Sequence, residues 1–566
     1  MSSKAIKAMR WLCTASLLLC WSVARLLGGE ELLFPPSVVP EVLQIPAPEA
    51  AADATENDSS AGLQSEEYLF SSTVISPAYM PPCSLSAISD APRPIDAWLE
   101  AVPRLLSVPN KNCGDCLAGA LHSHRVEVPT RLDATAYGLH PVPERPLLLM
   151  EWGEEFLGVG PLAPGIETCS GAVWRPAFWV FGEYRTALQY ADYGGQQVSE
   201  WANRLDLFGQ LNLSGTERVL AGLRPADEEL VDGRRFSSLD LRDGSSINGF
   251  NSELQTLFFE GDFGELFPYL DPHDVLRLDY GFSVGRMPLL AQQGLLINED
   301  RIDAVTVTRN TLFTKRISNL RMTGVYAWGG VHRNSADFGI PNTEDRNSHL
   351  LALLTESDFA CSTANVDVVY VQDNTLGGDL LAFGASSIRR QQGYFNTYNT
   401  SLHVLGSFPT NGESPFARQG ELLFAQTSWT PHHYDDLIYL NAFLAIDEFT
   451  SPARGPLAGG PLGQTGLLFS APGIGRVGAP INVRANDAAG ASLGYQYFFD
   501  ETRQQVVWEF GGQQATDGAN RGVVATGVRY QRAVGHHWIT VVDMTVGKRE
   551  SDNVASSLRF EARAKF

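Results

Sequence analysis

The chain ends on Leu558-Arg559-Phe560-Glu561-Ala562-Arg563-Ala564-Lys565-Phe566, with apolar and charged residues in strict alternation. Successive side chains of a strand point to opposite faces, so this segment has one apolar and one charged face. Working outward, the same texture fills the chain from about Ala172 onward, with Gly, Asn, Asp and Pro clusters between alternating stretches. Val275 to Gly285 places Leu276, Leu278, Tyr280, Phe282 and Val284 on one face, against Arg277, Asp279, Gly281, Ser283 and Gly285. Asn319 to Trp328 sets Leu320, Met322, Tyr326 and Trp328 against Arg321 and Thr323. Arg204 to Leu213 sets Leu205, Leu207, Leu211 and Leu213 against Arg204, Asp206, Gln210 and Asn212.

About eighteen such strands (16–18) can be placed, an even number suited to a closed antiparallel barrel. They fall at 178–190, 204–213, 216–224, 252–260, 275–285, 302–310, 319–330, 348–356, 363–372, 378–389, 399–408, 419–430, 436–447, 491–500, 504–513, 522–532, 536–547 and 556–566. Their lengths suit a tilted strand crossing a bilayer. The longest connections, 225–251 and 448–490, lie on the same side, which is the outer-membrane pattern of long loops outside and short turns in the periplasm. Tyr190, Tyr193, Trp328, Tyr394, Tyr398, Trp429, Tyr434, Tyr439, Tyr495, Tyr497 and Trp538 fall near strand ends, where interfacial girdles would put them, although ordinary β propensity would do the same. The fold class expected is therefore all-β, a transmembrane antiparallel barrel over 172–566 with an irregular N-terminal periplasmic extension.

Composition agrees. Of 566 residues, 44% are hydrophobic and 10% aromatic, ample for a folded core. Lys+Arg is 42 against Asp+Glu 64, a formal charge of −22, which argues against nucleic acid as a partner. After the N-terminus no run of eighteen apolar residues marks a membrane helix. Mean hydropathy is near zero, as expected when lipid-facing and water-facing residues alternate.

Lys4, Lys7 and Arg10 precede an apolar stretch from Trp11 to Val23, and Ser22-Val23-Ala24 fits a cleavage site, so 1–24 reads as a secretory signal peptide. Cys20 follows Leu19 rather than the small residue a lipoprotein site needs. Residues 25–92 read as an acidic, Pro-rich linker, since 26–92 contain no Lys or Arg. Residues 93–171 are expected to be a small periplasmic segment, with no fold assigned. Within it Cys113-Gly114-Asp115-Cys116 forms a C-x-x-C. Leu117 stands where haem attachment needs His, and a zinc site would need Cys83 or Cys169 as further ligands. Cys113 and Cys116 are thus candidates for a structural disulfide, and weaker ones for a metal clip. Cys361, at a predicted short turn, is expected to be a free thiol. His432-His433 and His536-His537 fall at turns and are weak as metal ligands.

The end of the chain, Phe560 to Phe566, resembles the C-terminal recognition strand of bacterial outer-membrane barrels. The stretch Leu276 to Asn310 resembles the Gly-Arg segment of alginate-export-type and related carbohydrate porins. It has a strand ending Val284-Gly285-Arg286, a loop through Gln292-Gln293-Gly294-Leu295-Leu296-Ile297-Asn298, and a strand starting Asp303-Ala304-Val305. The family's Gly-Arg is typically followed by Gln, whereas Met287 stands here. The resemblance implies a many-stranded barrel with a polar, partly Arg-lined pore, and the barrel-assembly machinery and outer-membrane lipid as partners.

No catalytic motif is present: no G-x-S-x-G, H-E-x-x-H, P-loop or G-x-G-x-x-G. No enzyme activity and no cofactor are expected. The residues expected to line the pore are Arg204, Arg218, Arg277, Asp279, Arg286, Arg321, Arg529, Arg559 and Arg563, with Arg224, Lys565, Glu183, Asp206, Glu509, Asp543 and Glu561 on the same polar faces. Facing rows of Arg and carboxylate would create a transverse field. The Gly/Pro-rich loop 448–490 either folds into the lumen as a constriction or stays outside. The expected function is passive passage of small hydrophilic solutes, with carbohydrate or anion preference. The alternatives are a non-conducting surface-anchor barrel and a secreted all-β hydrolase or lectin.

Overall fold

The computed structural model describes residues 148–566 apart from 159–161, 194–196, 228–235, 243, 245, 248–249, 274–277, 313, 315, 336–341, 346, 393–395, 432–434, 455–473, 477–480, 482–484, 501 and 551–552. The expected signal peptide, the linker, Cys113 and Cys116, Arg277, and His432-His433 lie outside the described residues.

Eighteen strands form one closed antiparallel ring. In chain order they are β1 (Ala177–Asp192), β2 (Gln197–Asn212), β3 (Arg218–Leu223), β4 (Leu254–Asp262), β5 (Tyr280–Ala291), β6 (Ile297–Leu312), β7 (Asn319–Gly329), β8 (His349–Asp358) and β9 (Thr363–Gln372). They continue with β10 (Leu380–Gln392), β11 (Asn396–Pro409), β12 (Gly420–Pro431), β13 (Leu437–Glu448), β14 (Asn486–Phe499), β15 (Gln504–Ala515), β16 (Val523–Val534), β17 (Trp538–Arg549) and β18 (Val554–Lys565). Each pairs with its neighbours in sequence, and β18 closes on β1 from Ser556↔Asp192 to Lys565↔Glu183. Phe566 completes the seam: its N–H donates to Gly182 O at 3.1 Å and its O accepts from Gly182 N at 2.7 Å. Closure removes every edge, so no backbone group of the wall is left to hydrocarbon.

Alternation sets the two faces. Leu558 and Phe560 are about half exposed, while Arg559 and Glu561 between them are buried. The same outward row runs through Leu188, Trp201, Val307, Leu351, Val368, Leu402, Leu444, Phe510, Val528 and Met544. Outward aromatics gather at both ends, with Tyr280, Tyr398, Tyr497 and Trp538 at one and Tyr190, Trp201, Tyr326 and Trp328 at the other. Tyr439 departs from the expected girdle. It lies on the inward face of β13 and is only 5% exposed.

Long connections share one rim: 224–253 between β3 and β4, 330–348 between β7 and β8, and 449–485 between β13 and β14. At the opposite rim only 263–279 is longer than six residues. The strand Met150–Trp152 lies within the segment left without a fold by the sequence. It continues the line of β18, pairing with β1 from Met150↔Val180 to Trp152↔Phe178. Cys169 is an exposed free thiol. Cys361 is disulfide-bonded, which corrects the expectation of a free thiol.

Four strands depart from the sequence reading by five residues or more, one of them β14, which begins at Asn486. β2 begins at Gln197, β5 runs from Tyr280 to Ala291, and β6 extends from Ile297 to Leu312. For β5 and β6 the reason is burial. Met287, Leu289, Ala291, Leu295, Leu296 and Ile297 are all buried, so the period-two pattern that marks a wall strand disappears there.

Candidate lumen and constriction

The inner wall from β16 to β2 carries a charged row. Cross-strand register brings Arg529 opposite Asp543, Asp543 opposite Arg559, Arg563 opposite Arg185, and Arg185 opposite Arg204. Asp543 takes Arg529 at 2.8 Å on one side and Arg559 on the other. Glu561 is shared by Arg185 at 2.7 Å, Arg563 at 2.8 Å and Arg559 at 3.5 Å. Asp206 is shared by Arg204 at 2.7 Å and Arg224 at 2.6 Å. Each of these carboxylates thus serves two or three guanidinium groups, and such charge-assisted bonds fix the rotamers of all of them. The charges are interleaved along one wall, which corrects the expectation of facing Arg and carboxylate rows.

Arg218 and Arg321 also face inward and pair with carboxylates: Arg218 with Glu260 across β3 and β4, and Arg321 with Glu356 at 2.8 Å across β7 and β8. Asp279 lies in the 263–279 connection with its side chain 55% exposed, 3.7 Å from Arg309. It is at the short-turn rim and lines no wall. Arg286 is also placed differently from the sequence reading. Its register partners are Leu257 and Asp303, on the face that carries Val284 and Val307, so it points outward. There it forms a forked pair with Asp303 at 2.8 and 3.0 Å. Gly285 before it has φ +129°, a region that favours glycine, and a Cβ there would collide with the Leu257 carbonyl.

Narrowing comes from the β5–β6 hairpin. Past a register shift between Met287 and Leu289, the two strands leave the wall and fold inward over β9, β10 and β11. At the tip, Gln292 and Gln293 have φ of 53° and 52°, an uncommon conformation for side-chain-bearing residues. Gln292 Nε2 donates to Asp367 Oδ2 at 2.8 Å, and its Oε1 accepts from His403 Nδ1 at 3.1 Å. Gly384 on β10 makes room, since a Cβ there would lie 2.6 Å from Gln292 Cγ. The hairpin is held from the long-loop rim as well. Glu299 accepts from His332 N at 2.7 Å and contacts His332 Nδ1 at 2.9 Å. Ser451 Oγ donates to Leu295 O at 2.8 Å, and Ala453–Arg454 pair in parallel with Ile297–Asn298.

Of the 448–490 loop, the described parts enter the ring. Ile474 is buried with Ala187, Ala202 and Phe236. Arg476 reaches Glu200 at 2.6 Å and Asp240 at 2.7 Å. Those hydrogen bonds hold the Arg476 guanidinium above its ordinary range although burial opposes them, and hold Asp240 below the usual carboxylate range. His537 Nδ1 donates to Lys565 O at 2.9 Å and sits at a turn without other ligand groups. Among the described residues no cluster of three His, Cys, Asp or Glu could hold a metal.

The sequence did not single out Arg185, Gln292, Asp367 or His403. Arg185 shares a face with Glu183, a signal that was present. The other three lie at a tip contact between segments remote in sequence, for which alternation gives no sign.

No family model matches the chain and no curated protein matches it. Among solved structures it is similar to OccK2 (OpdF) of Pseudomonas aeruginosa, at 11% identity and TM-score 0.49 over 69% of this chain and 97% of that one. It is likewise similar to OccK11 (OpdR) of the same organism, at 9% identity and TM-score 0.46 over 69% and 96%. A third is OpdK of that organism, solved with vanillate, at 12% identity and TM-score 0.46 over 68% and 98%.

Proposed function

We propose that the chain is an outer-membrane porin that passes small hydrophilic solutes by diffusion, with anions favoured over cations. The observation that carries this reading is the inward arginine row of β16 to β2 inside a closed ring whose outward face is apolar. A ring of eighteen strands is wide enough for an aqueous path, and fixed charges on its wall set which ions enter. Because each bridging carboxylate is already shared among guanidinium groups, it offers a passing cation little. Guanidinium N–H groups are donors whose geometry suits carboxylate and hydroxyl oxygens. We place the narrow point at the hairpin tip, where Gln292 is buried against Asp367 and His403. Carbohydrate preference rests on the Gly285-Arg286 resemblance alone, and Arg286 faces outward. The outward band of Leu, Val, Phe and Trp disfavours a secreted hydrolase or lectin, which would hold these residues in water.

The second reading, a non-conducting barrel, is favoured by the seating of Ile474 and Arg476 inside the ring. Planar-bilayer recording decides between them. The expected result is stepwise conductance with a reversal potential toward the anion side in asymmetric salt, reduced in Arg529→Gln and Arg321→Gln. A wild type without conductance, in a preparation that shows heat-modifiable gel mobility, overturns the porin reading in favour of the plugged barrel.

A further inference from the structure

Away from the charged row, the long-loop rim holds a buried acid pair. Val331–Arg333 and Thr343–Asp345 form a two-stranded hairpin within the 330–348 connection. Arg333 is fully buried and ties three connections together. Its Nη1 donates to Asp373 Oδ2 at 2.9 Å, and its Nη2 donates to Phe416 O at 2.8 Å and Gly378 O at 3.3 Å. Asp373 Oδ1 in turn accepts from the backbone N–H groups of Thr375, Leu376 and Gly377 at 2.9, 2.8 and 3.1 Å. Against this acceptor lies the carboxyl of Asp345, which is also fully buried, takes the Asn347 N–H on Oδ1 at 3.1 Å and is hydrogen-bonded by the Thr375 side chain.

Two carboxyl groups in contact repel each other unless one proton lies between them. The charged groups around Asp345 are Arg333 from its partner strand and Asp373 and Asp379 from the 373–379 connection; Glu344 beside it turns to Arg301 at 3.9 Å. One arginine among three acids leaves excess negative charge in a buried place, so a protonated Asp345 suits the site. We propose that Asp345 and Asp373 share one proton, and that with Arg333 they form a pH-sensitive clasp that closes the long-loop rim and positions the constriction hairpin. The link to the hairpin is one residue long: His332, next to Arg333, holds Glu299 of β6. The clause on the constriction rests on the porin reading; the clasp does not.

Burial and the Asp373 carboxyl push Asp345 above the usual carboxylate range. Asp373, against its own burial, is held below that range by Asp345, the backbone N–H groups and Arg333. A raised acid stabilises the fold while protonated, so the clasp loses its contribution as pH rises through the Asp345 value. A depressed acid does the opposite, so a second loss comes only at strongly acid pH.

The test is hydrogen exchange of the Thr375, Leu376 and Gly377 amides in the full-length, detergent-folded protein, corrected for intrinsic rates. Between about pH 5 and about pH 9, wild-type protection should fall at least about tenfold, whereas Asp345→Asn, whose amide donates to Asp373 at any pH, should stay within about twofold. Equal protection at both pH values in the wild type, or an equal loss in Asp345→Asn, overturns the proposal. If Asp345→Asn does not fold, the wild-type comparison decides alone. Single-channel recording over the same range adds the functional arm, with more frequent conductance substates expected in the alkaline wild type and at all pH values in Arg333→Gln. A wild type whose amides respond as stated but whose bilayers carry no current overturns the porin reading and leaves the clasp standing.

Discussion

Replacing Glu561 by Gln tests the charged row where it is most densely connected. Glu561 is fully buried and shared by Arg185, Arg563 and Arg559 at 2.7, 2.8 and 3.5 Å. Glutamine keeps the shape and removes the negative charge, leaving three guanidinium groups crowded around a neutral amide. Removing one partner of a buried ion pair costs about 3–5 kcal/mol. Arg185 and Arg563 keep 14% and 13% of their side-chain surface exposed and can turn toward lumen water, which points to the lower end. About 3 kcal/mol is about two decades in the ratio of folded to unfolded protein. The assay is urea-dependent folding into lipid vesicles, read by heat-modifiable gel mobility. Removing Arg185 as well should restore part of the loss, because the double variant has one fewer cation in the cluster. Selectivity should move the same protein further toward anions. One unit charge about 10 Å from the permeation path contributes about 0.4 kcal/mol in water. Screening cuts this to about a third at 0.1 M salt and leaves most of it at 0.01 M. An unchanged urea midpoint together with an unchanged reversal potential would refute the claim that Glu561 organises these arginines.

Other outcomes follow from the same geometry. Leu558→Arg puts a charge on the lipid face next to buried Arg559, and should cost about 2–4 kcal/mol near the bilayer midplane, seen as a loss of folded yield. Gly384→Ala brings a Cβ to 2.6 Å from Gln292 Cγ, so the ring should still fold while the hairpin tip shifts and single-channel conductance changes; unchanged conductance would detach the tip from the narrow point. Phe566→Asp should reduce membrane assembly, since Phe566 closes the seam on Gly182; normal insertion would show that the terminal residue carries no assembly signal.

The wall was legible because a membrane strand has to alternate. Every stretch chosen by period two corresponds to a strand of the ring, and 363–372 coincides with β9. The hydrocarbon outside and water inside impose opposite polarity on adjacent residues, and that constraint is local enough to read from a few positions. It failed where the chain leaves the wall. From Met287 to Ile297 both sides of the hairpin are covered, by its partner strand, by β9 to β11 and by residues 449–454, so apolar residues stop alternating and the stretch reads as a loop.

Arg286 shows why identity is easier to read than orientation. Its residue type and its place beside Gly285 invite a pore role, and the alternation of Tyr280, Phe282 and Val284 already assigned it to the outward face. The forked pair with Asp303 lowers the cost of holding it there. Pairing partners are less legible again. Arg185 and Glu561 are 376 positions apart and meet only because the ring closes. Hence the two layers of the sequence act differently. Residues that keep period two determine whether the barrel assembles, and their substitution should show in folding yield. Residues that break the period, at Gln292, His332, Arg333 and Asp373, meet only through tertiary contacts, and their substitution should show in passage through a barrel that still assembles.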